Sequence, residues 1–241
     1  MENPIIERQD SYSVFIEGEV VDLCVPSTLA IQRDGWADWF NDQETTKYLD
    51  HGLFPNMVED QIDFYETLRQ RKRLALLIRP KNAERAIGVI SLSNINMFQR
   101  SAQGSIVIGE RAGDKNLFAL ESFARITSHA FEVMGLERIY AGQVFPGLKN
   151  WNKRMELLGY KAEGINRKGF VRGHSVFDTI SLSCLYEDYL SIKRLRKGNY
   201  WLGQQRMLEL VDTLPEHGFA EILHDSIAKL RNDYFSTIQY V

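Results

Sequence analysis

The stretch Ile106-Val107-Ile108-Gly109-Glu110-Arg111-Ala112-Gly113-Asp114-Lys115-Asn116 decides how this chain folds. Its first part is an apolar strand. Its middle is a polar loop relaxed by Gly109 and Gly113, and it opens into a long helix predicted over Asn116 to Met134. In that helix Leu117, Leu120, Ala124, Thr127, Phe131 and Met134 step by three and four, and Ala119, Phe123, Ile126, Ala130 and Val133 form a second apolar stripe beside them. Two stripes bury a wide arc, as when a helix lies across a sheet. Gly135 fits the position after the helix, where a left-handed residue is needed. A helix N-terminus fed by a strand offers backbone N–H groups and a partial positive charge, which together attract phosphate. The same stretch also fits an ordinary strand-to-helix connection.

Upstream, Leu74 to Ile78, Ala86 to Leu92 and Ser105 to Ile108 read as strands, with a polar connection over Asn94 to Gln103. Hairpin-like links make this part antiparallel. Further upstream, Val14 to Ile16 and Val20 to Val25 read as short strands. A helix capped by Ser27 or Thr28 carries Leu29, Ile31, Trp36, Trp39 and Phe40, and a second helix runs from about Val58 to Arg71. Downstream, Ile139 to Val144 is a strand, and Trp151, Met155 and Leu158 mark a helix stopped by Gly159. Tyr160 to Glu163, Gly169 to Arg172 and Val176 to Leu185 complete the sheet. The expected fold class is α/β of mixed (α+β) type: a mostly antiparallel central sheet with helices on both faces. Residues 1–186 form that domain. Residues 187–241, with Leu190 to Leu195, Met207 to Leu214 and Ile222 to Phe235 helical, form a C-terminal helical extension.

The 241 residues carry a formal net charge of −3, with 44% hydrophobic and 25% charged residues, ordinary for a globular protein. The acidic balance argues against nucleic acid as a partner, because phosphate neutralisation needs a basic excess. Cys24 and Cys184 stand alone, with neither a disulfide framework nor metal-ligand spacing, so no metal is expected and reduced thiols in the cytoplasm are. Met1 to Asp10 lacks the basic and apolar regions of a signal peptide, and no apolar run approaches membrane-spanning length.

Several stretches, in order, resemble one family. They are Gly18-Glu19-Val20-Val21-Asp22-Leu23; Trp39-Phe40-Asn41-Asp42 with Thr46-Lys47-Tyr48-Leu49; Ile87-Gly88-Val89-Ile90 with Arg100-Ser101-Ala102 and Ile108-Gly109; Gly135-Leu136-Glu137-Arg138-Ile139; Leu158-Gly159-Tyr160-Lys161-Ala162-Glu163-Gly164; and Phe177-Asp178 before Ile180-Ser181-Leu182. From about Phe15 to Tyr189 the chain resembles the GNAT superfamily of acyl-coenzyme A-dependent N-acyltransferases. It is most similar to the branch of ribosomal-protein alanine and amino-sugar-nucleotide N-acetyltransferases. The resemblance implies acetyl-CoA as cosubstrate, a small amine as acceptor (a nucleotide-linked amino sugar or, alternatively, a protein N-terminus), direct attack in a ternary complex, and no metal. A homodimer is a further expectation.

It also implies site residues. The pantetheine arm would meet Ile106, Val107 and Ile108. The pyrophosphate loop falls on Asp114-Lys115-Asn116-Leu117-Phe118-Ala119, of which Ala119 alone keeps the family's small residue, with Arg111 and Lys115 as compensating cations. The family's helix asparagine falls on Leu148, with Asn150 close by, and its acidic tyrosine falls on Met155, which cannot protonate a thiolate. Its fourth-strand glutamate falls on Gln103. Candidate proton-relay groups are therefore Asp178, His174, Tyr140 and Glu110, and candidate acceptor contacts are Trp39, Asn41, Asp42 and Asn94. The lost loop glycines and absent acid leave a second reading open, an acyl-CoA-binding protein without catalysis.

Overall fold

The computed structural model describes residues 12–68, 70, 73–110 and 113–238. Among them one eight-stranded sheet runs in the order β1-β2-β3-β4-β5-β6-β8-β7. The strands are β1 (Val14–Ile16), β2 (Val21–Cys24), β3 (Leu74–Pro80), β4 (Gly88–Asn96), β5 (Ser101–Ile108), β6 (Arg138–Phe145), β7 (Lys161–Arg172) and β8 (Ser175–Leu185). All neighbours pair antiparallel except β5 with β6. The helix between those two, α5 (Lys115–Glu132), is the crossover that a parallel pair requires.

Before it come α1 (Thr28–Arg33), α2 (Trp36–Asn41), α3 (Gln43–Thr46) and α4 (Val58–Leu68); after it come α6 (Lys149–Leu157), α7 (Tyr186–Leu195), α8 (Gln204–Asp212) and α9 (Phe219–Ser236). The expected single helix from Leu29 to Phe40 is broken because Gly35 takes a left-handed backbone (φ 72°). The polar connection read over Asn94 to Gln103 is mostly strand: β4 runs to Asn96 and β5 starts at Ser101. Ile95 and Ala102 of these strands face the larger core, while Asn94, Asn96 and Ser101 line an open polar cavity. The stretches read as two strands, Tyr160 to Glu163 and Gly169 to Arg172, form one strand, β7, with register shifts between Ala162 and Gly164 and between Asn166 and Phe170.

Two apolar cores flank the sheet. The larger packs α5 through Leu120, Phe123 and Ile126 against Leu23, Leu76, Ile78, Ile90 and Leu92. The smaller packs Trp36, Trp39 and Phe40 against Cys24, Ala75, Leu77 and Val89. Residues after 186 share the larger core, since Tyr189, Tyr200, Met207 and Ala220 are buried in it. Tyr200 donates to the Leu158 carbonyl at 2.5 Å, and Trp201 Nε1 donates to Glu19 at 2.7 Å. Glu156 of α6 accepts the Phe219 and Ala220 N–H groups that open α9. The fully buried Glu121 ties α5 to the β1–β2 turn, accepting the N–H groups of Glu19, Val20 and Val21 and pairing with Arg125. Burying a carboxylate is tolerable only with such a full set of partners. Among the described residues no helix is long and apolar enough to cross a membrane.

Candidate active site

β5 and β6 pair only from Ser101↔Arg138 to Gln103↔Tyr140. Beyond that point β5 stays with β4 as far as Ile108, and β6 stays with β8 as far as Phe145. The two strands therefore splay apart, and the β5 backbone from Gly104 onward has no strand partner on its β6 side. A cavity of about 390 Å³ fills the gap. Gln103, Gly104, Ser105, Ile106, Val107 and Ile108 form one wall, Gly142 and Gln143 of β6 another, and Leu148 and Trp151 close the α6 side. Lys115, Asn116 and Ala119 bring the first turn of α5 to the cavity, with Glu110 just before it. Glu44, Thr45, Tyr48 and Leu49 come from α3 and the turn after it.

Local interactions explain why that last segment reaches the cavity. Asp42 caps α3, accepting from the Thr45 N–H at 2.8 Å and the Thr45 hydroxyl at 2.6 Å. Asn41 exchanges two bonds with Asn56, donating to its carbonyl at 2.8 Å and accepting its N–H at 2.7 Å. Arg172, near the tip of the β7–β8 hairpin, donates to the carbonyl and hydroxyl of Thr46 at 3.0 and 3.1 Å. The hairpin is thereby fastened to the segment that carries Thr45, Tyr48 and Leu49 to the cavity.

Of the cofactor contacts expected from the sequence, Ile106, Val107, Ile108, Lys115, Asn116 and Ala119 line the cavity. Asp114 is instead the N-cap of α5, its carboxylate accepting the Leu117 N–H at 3.1 Å. Leu117 is buried, Phe118 packs against the core and Gly113 is left-handed at φ 59°. Asn150 is not on the cavity wall; Leu148 and Trp151 are its nearest lining neighbours in sequence. Arg111 lies outside the described residues.

The expected acceptor contacts are redistributed. Trp39 is core: a Cβ added to Gly109 would lie 1.9 Å from its ring, so β5 ends in close contact with it. Asn41 and Asp42 shape the loop and do not line the cavity. Asn94 donates to Gln103 Oε1 at 2.8 Å and lines a second, polar cavity with Asn96, Gln99, Ser101, Arg138 and Tyr140.

The proton-relay candidates do not converge. Tyr140 belongs to the second cavity, His174 is in the exposed β7–β8 turn, and Asp178 accepts the Lys168 N–H at 2.8 Å and meets His224 Nε2 at 3.1 Å. Only Glu110 lines the splay. Sequence reasoning passed over Glu44, Thr45, Tyr48, Ser105, Gln143 and Trp151 as site residues. Thr46-Lys47-Tyr48-Leu49 carried a family signal, but nothing local aims Tyr48 at the site.

Ser105, Gln103 and Tyr140 continue the sheet face on which Val89 and Val107 meet the smaller core. Ser181 and Ser183 of β8 lie on the same face, where Ser183 and Arg138 bond Glu163, and Asn166 bonds Ser181. The front face of β5, β6 and β8 is thus hydroxyl- and amide-lined, with its one prominent charge pair closed on itself. Burial pushes the Cys24 thiol up to about 11 and the Cys184 thiol higher still, so neither provides a ready thiolate. Among the described residues no cluster of His, Cys, Asp or Glu has metal-binding geometry.

Residues 28–144 match the family described as Acetyltransferase (GNAT) domain. Over those residues the chain matches an acetyltransferase domain of the GNAT family. Its fold is shared with spermidine N-acetyltransferase from Vibrio cholerae, solved in complex with CoA and spermine (TM-score 0.63, 19% identity, 72% of this chain and 99% of that one). It is also shared with the microcin C7 self-immunity acetyltransferase MccE, solved with acetyl-CoA and AMP (TM-score 0.60, 17% identity, 70% and 93%). A GNAT-family acetyltransferase from Bacillus anthracis gives a TM-score of 0.59 at 20% identity, over 71% and 98%. No protein of curated function matches the sequence significantly.

Proposed function

We propose that this protein transfers the acetyl group of acetyl-CoA to the amine of a small, hydroxyl-bearing acceptor, an amino sugar or its nucleotide-linked form, in the cytoplasm. The observation that carries the reading is the splay between β5 and β6 with the start of α5 at its mouth. Its volume lies in the range of small-molecule sites. The unpaired β5 edge can bond the amides of a pantetheine arm, as another strand would. Lys115 and the first turn of α5 suit a diphosphate. The Asp114 cap competes with an anion for one N–H group, which weakens that grip.

The chemistry asks for a neutral amine held against a polarised carbonyl. The amine nitrogen attacks the thioester carbon, the carbon–sulfur bond breaks, and the ammonium proton leaves through water or Glu110. No covalent enzyme intermediate is needed, in keeping with the two buried thiols. The polar front face favours an acceptor that offers and accepts hydrogen bonds without charge. Glu44 and Glu110 in the cavity support a second reading, a cationic polyamine, which the Vibrio neighbour's bound spermine also suggests.

Calorimetry with acetyl-CoA, followed by thiol release on a panel of amino sugars, sugar nucleotides, spermidine and peptides with free N-termini, tests the reading. Saturable cofactor binding and turnover with the sugars is expected. No binding at millimolar acetyl-CoA would sink it, tight binding with no turnover would leave a binding protein, and preference for spermidine or peptides would replace the acceptor class.

A further inference from the structure

We propose that the groove between α6, α7 and α8 is a second binding site, which takes a free aliphatic chain with an anionic head, carboxylate or phosphate, and that Arg196 holds the head. The proposal stands apart from the acyltransferase reading above. The groove measures about 650 Å³, a volume within the range of small-molecule sites. Its apolar lining is aliphatic: Leu157 of α6, Ile192 and Leu195 of α7, Leu202 before α8, Leu210 within α8 and Leu214 after it. Five of the six are half-buried, and Leu195 is 81% exposed. Protein partners anchor through aromatic side chains, and among the described residues none lines this groove, so a methylene chain suits it better than a peptide.

Arg196, Lys197 and Arg206 share the same lining. The stretch Lys193-Arg194-Leu195-Arg196-Lys197 supplies two of these cations. Lys193 and Arg194 fall in the last turn of α7, where the helix dipole favours positive charge. Arg196 lies past that turn and is half-buried. Its Nη1 donates to the Tyr200 carbonyl and its Nη2 to the Leu157 carbonyl, both at 2.6 Å. Both acceptors are neutral, and among the described residues no carboxylate pairs with Arg196. Burial accordingly holds its guanidinium below the ordinary value.

The carboxylates at hand are engaged elsewhere. Glu156 lines the groove, but its two oxygens accept the Phe219 and Ala220 N–H groups. Glu209 pairs with Arg206 at 2.5 Å, and Asp188 pairs with Lys161. Arg196 and the exposed Lys197 are left without a counter-ion beside an aliphatic trough. An anionic head satisfies them by charge-assisted hydrogen bonds, and its chain covers the leucines.

The test uses the full chain, with laurate and dodecyl phosphate held below their micelle concentrations and binding read by calorimetry. Saturable one-to-one binding of at least one of them is expected, and the two arms tell a carboxylate head from a phosphate. The eight-carbon homologue should bind about tenfold more weakly or worse, since each methylene lost forgoes burial. Lys197→Glu and Leu195→Glu, both at exposed positions, should each weaken binding about fivefold, and Arg196→Gln about tenfold. Arg196 also joins two backbone carbonyls, so the two exposed variants decide the matter if Arg196→Gln fails to fold. Saturating acetyl-CoA should leave the affinity unchanged. No binding of either amphiphile at about millimolar concentration would overturn the proposal. So would wild-type affinity in both exposed variants, or displacement by acetyl-CoA. Binding to phosphatidylglycerol vesicles with none to the monomers would replace the site with a membrane contact. Binding of laurate by a protein that acetylates no amine would keep this site and remove the acyltransferase reading alone.

Discussion

One face of the sheet is built in two ways. Over β2–β4, Cys24, Ala75, Leu77 and Val89 lie under Trp36, Trp39 and Phe40, and Phe64, Tyr65 and Leu68 of α4 pack against them. A few strands further on, the same face shows Ser105, Gln103, Tyr140, Ser181 and Ser183. Helices α5, α6, α7 and α9 reach β5–β8 from the opposite side, through the larger core. The first half supplies burial, about 25 cal/mol per Å² of apolar surface removed from water. The second half gives that burial up and leaves a polar face next to the splay, with Ser105 exposed and Ser183 buried against Arg138 and Glu163. Glycine contributes at the seam: Gly109 lets β5 end against Trp39, and Gly142 leaves the β6 wall open.

Four measurements test this contrast. The largest effect concerns the opposite face, whose cover includes the extension. Ending the chain at residue 197 removes Tyr200, Met207 and Ala220 from the shared core, so we expect loss of the cooperative thermal transition, followed by circular dichroism. A well-folded truncated protein would make residues 198–241 a peripheral unit.

Within the front face, Trp36→Ala should cost about 3–5 kcal/mol in a denaturant melt, because the side chain is 1% exposed and leaves a cavity. A cost under about 1 kcal/mol would mean the covered half is not a true core. Gln103→Ala, on the open half, should change stability by less than about 1 kcal/mol yet lower kcat/KM for the acceptor about tenfold. Equal loss with every acceptor, or none, would detach that face from recognition. Last, Cys24 under the covered half should alkylate at pH 8 about 100-fold more slowly in the folded protein than in denaturant, as its burial and raised thiol imply. Mass spectrometry after iodoacetamide treatment reads this directly.

The α5 stripe was legible because its period is local: Leu120, Phe123, Ala124, Ile126, Ala130 and Phe131 are all buried, and Gly135 turns left-handed as expected. The β5 wall and Ala119 followed from the same stretch. Asp178 and His174 do not line the splay: a carboxylate or imidazole beside a strand looks alike in sequence whether it faces a cavity or, as Asp178 does, meets His224 of α9. Trp39 looked like a pocket aromatic and is core because Gly109 admits it. The β4–β5 hairpin was read short because polar strand residues on an open face resemble a loop.

Legible in the sequence were the strand–helix–strand crossover and the buried face of α5, since each depends on spacing within one element. Tertiary structure alone decided where β5 and β6 part, that Tyr48 lies over Gly147, and that residues beyond Tyr186 complete the main core. Those outcomes depend on strand register and on packing between segments far apart in the chain, and no local periodicity encodes them.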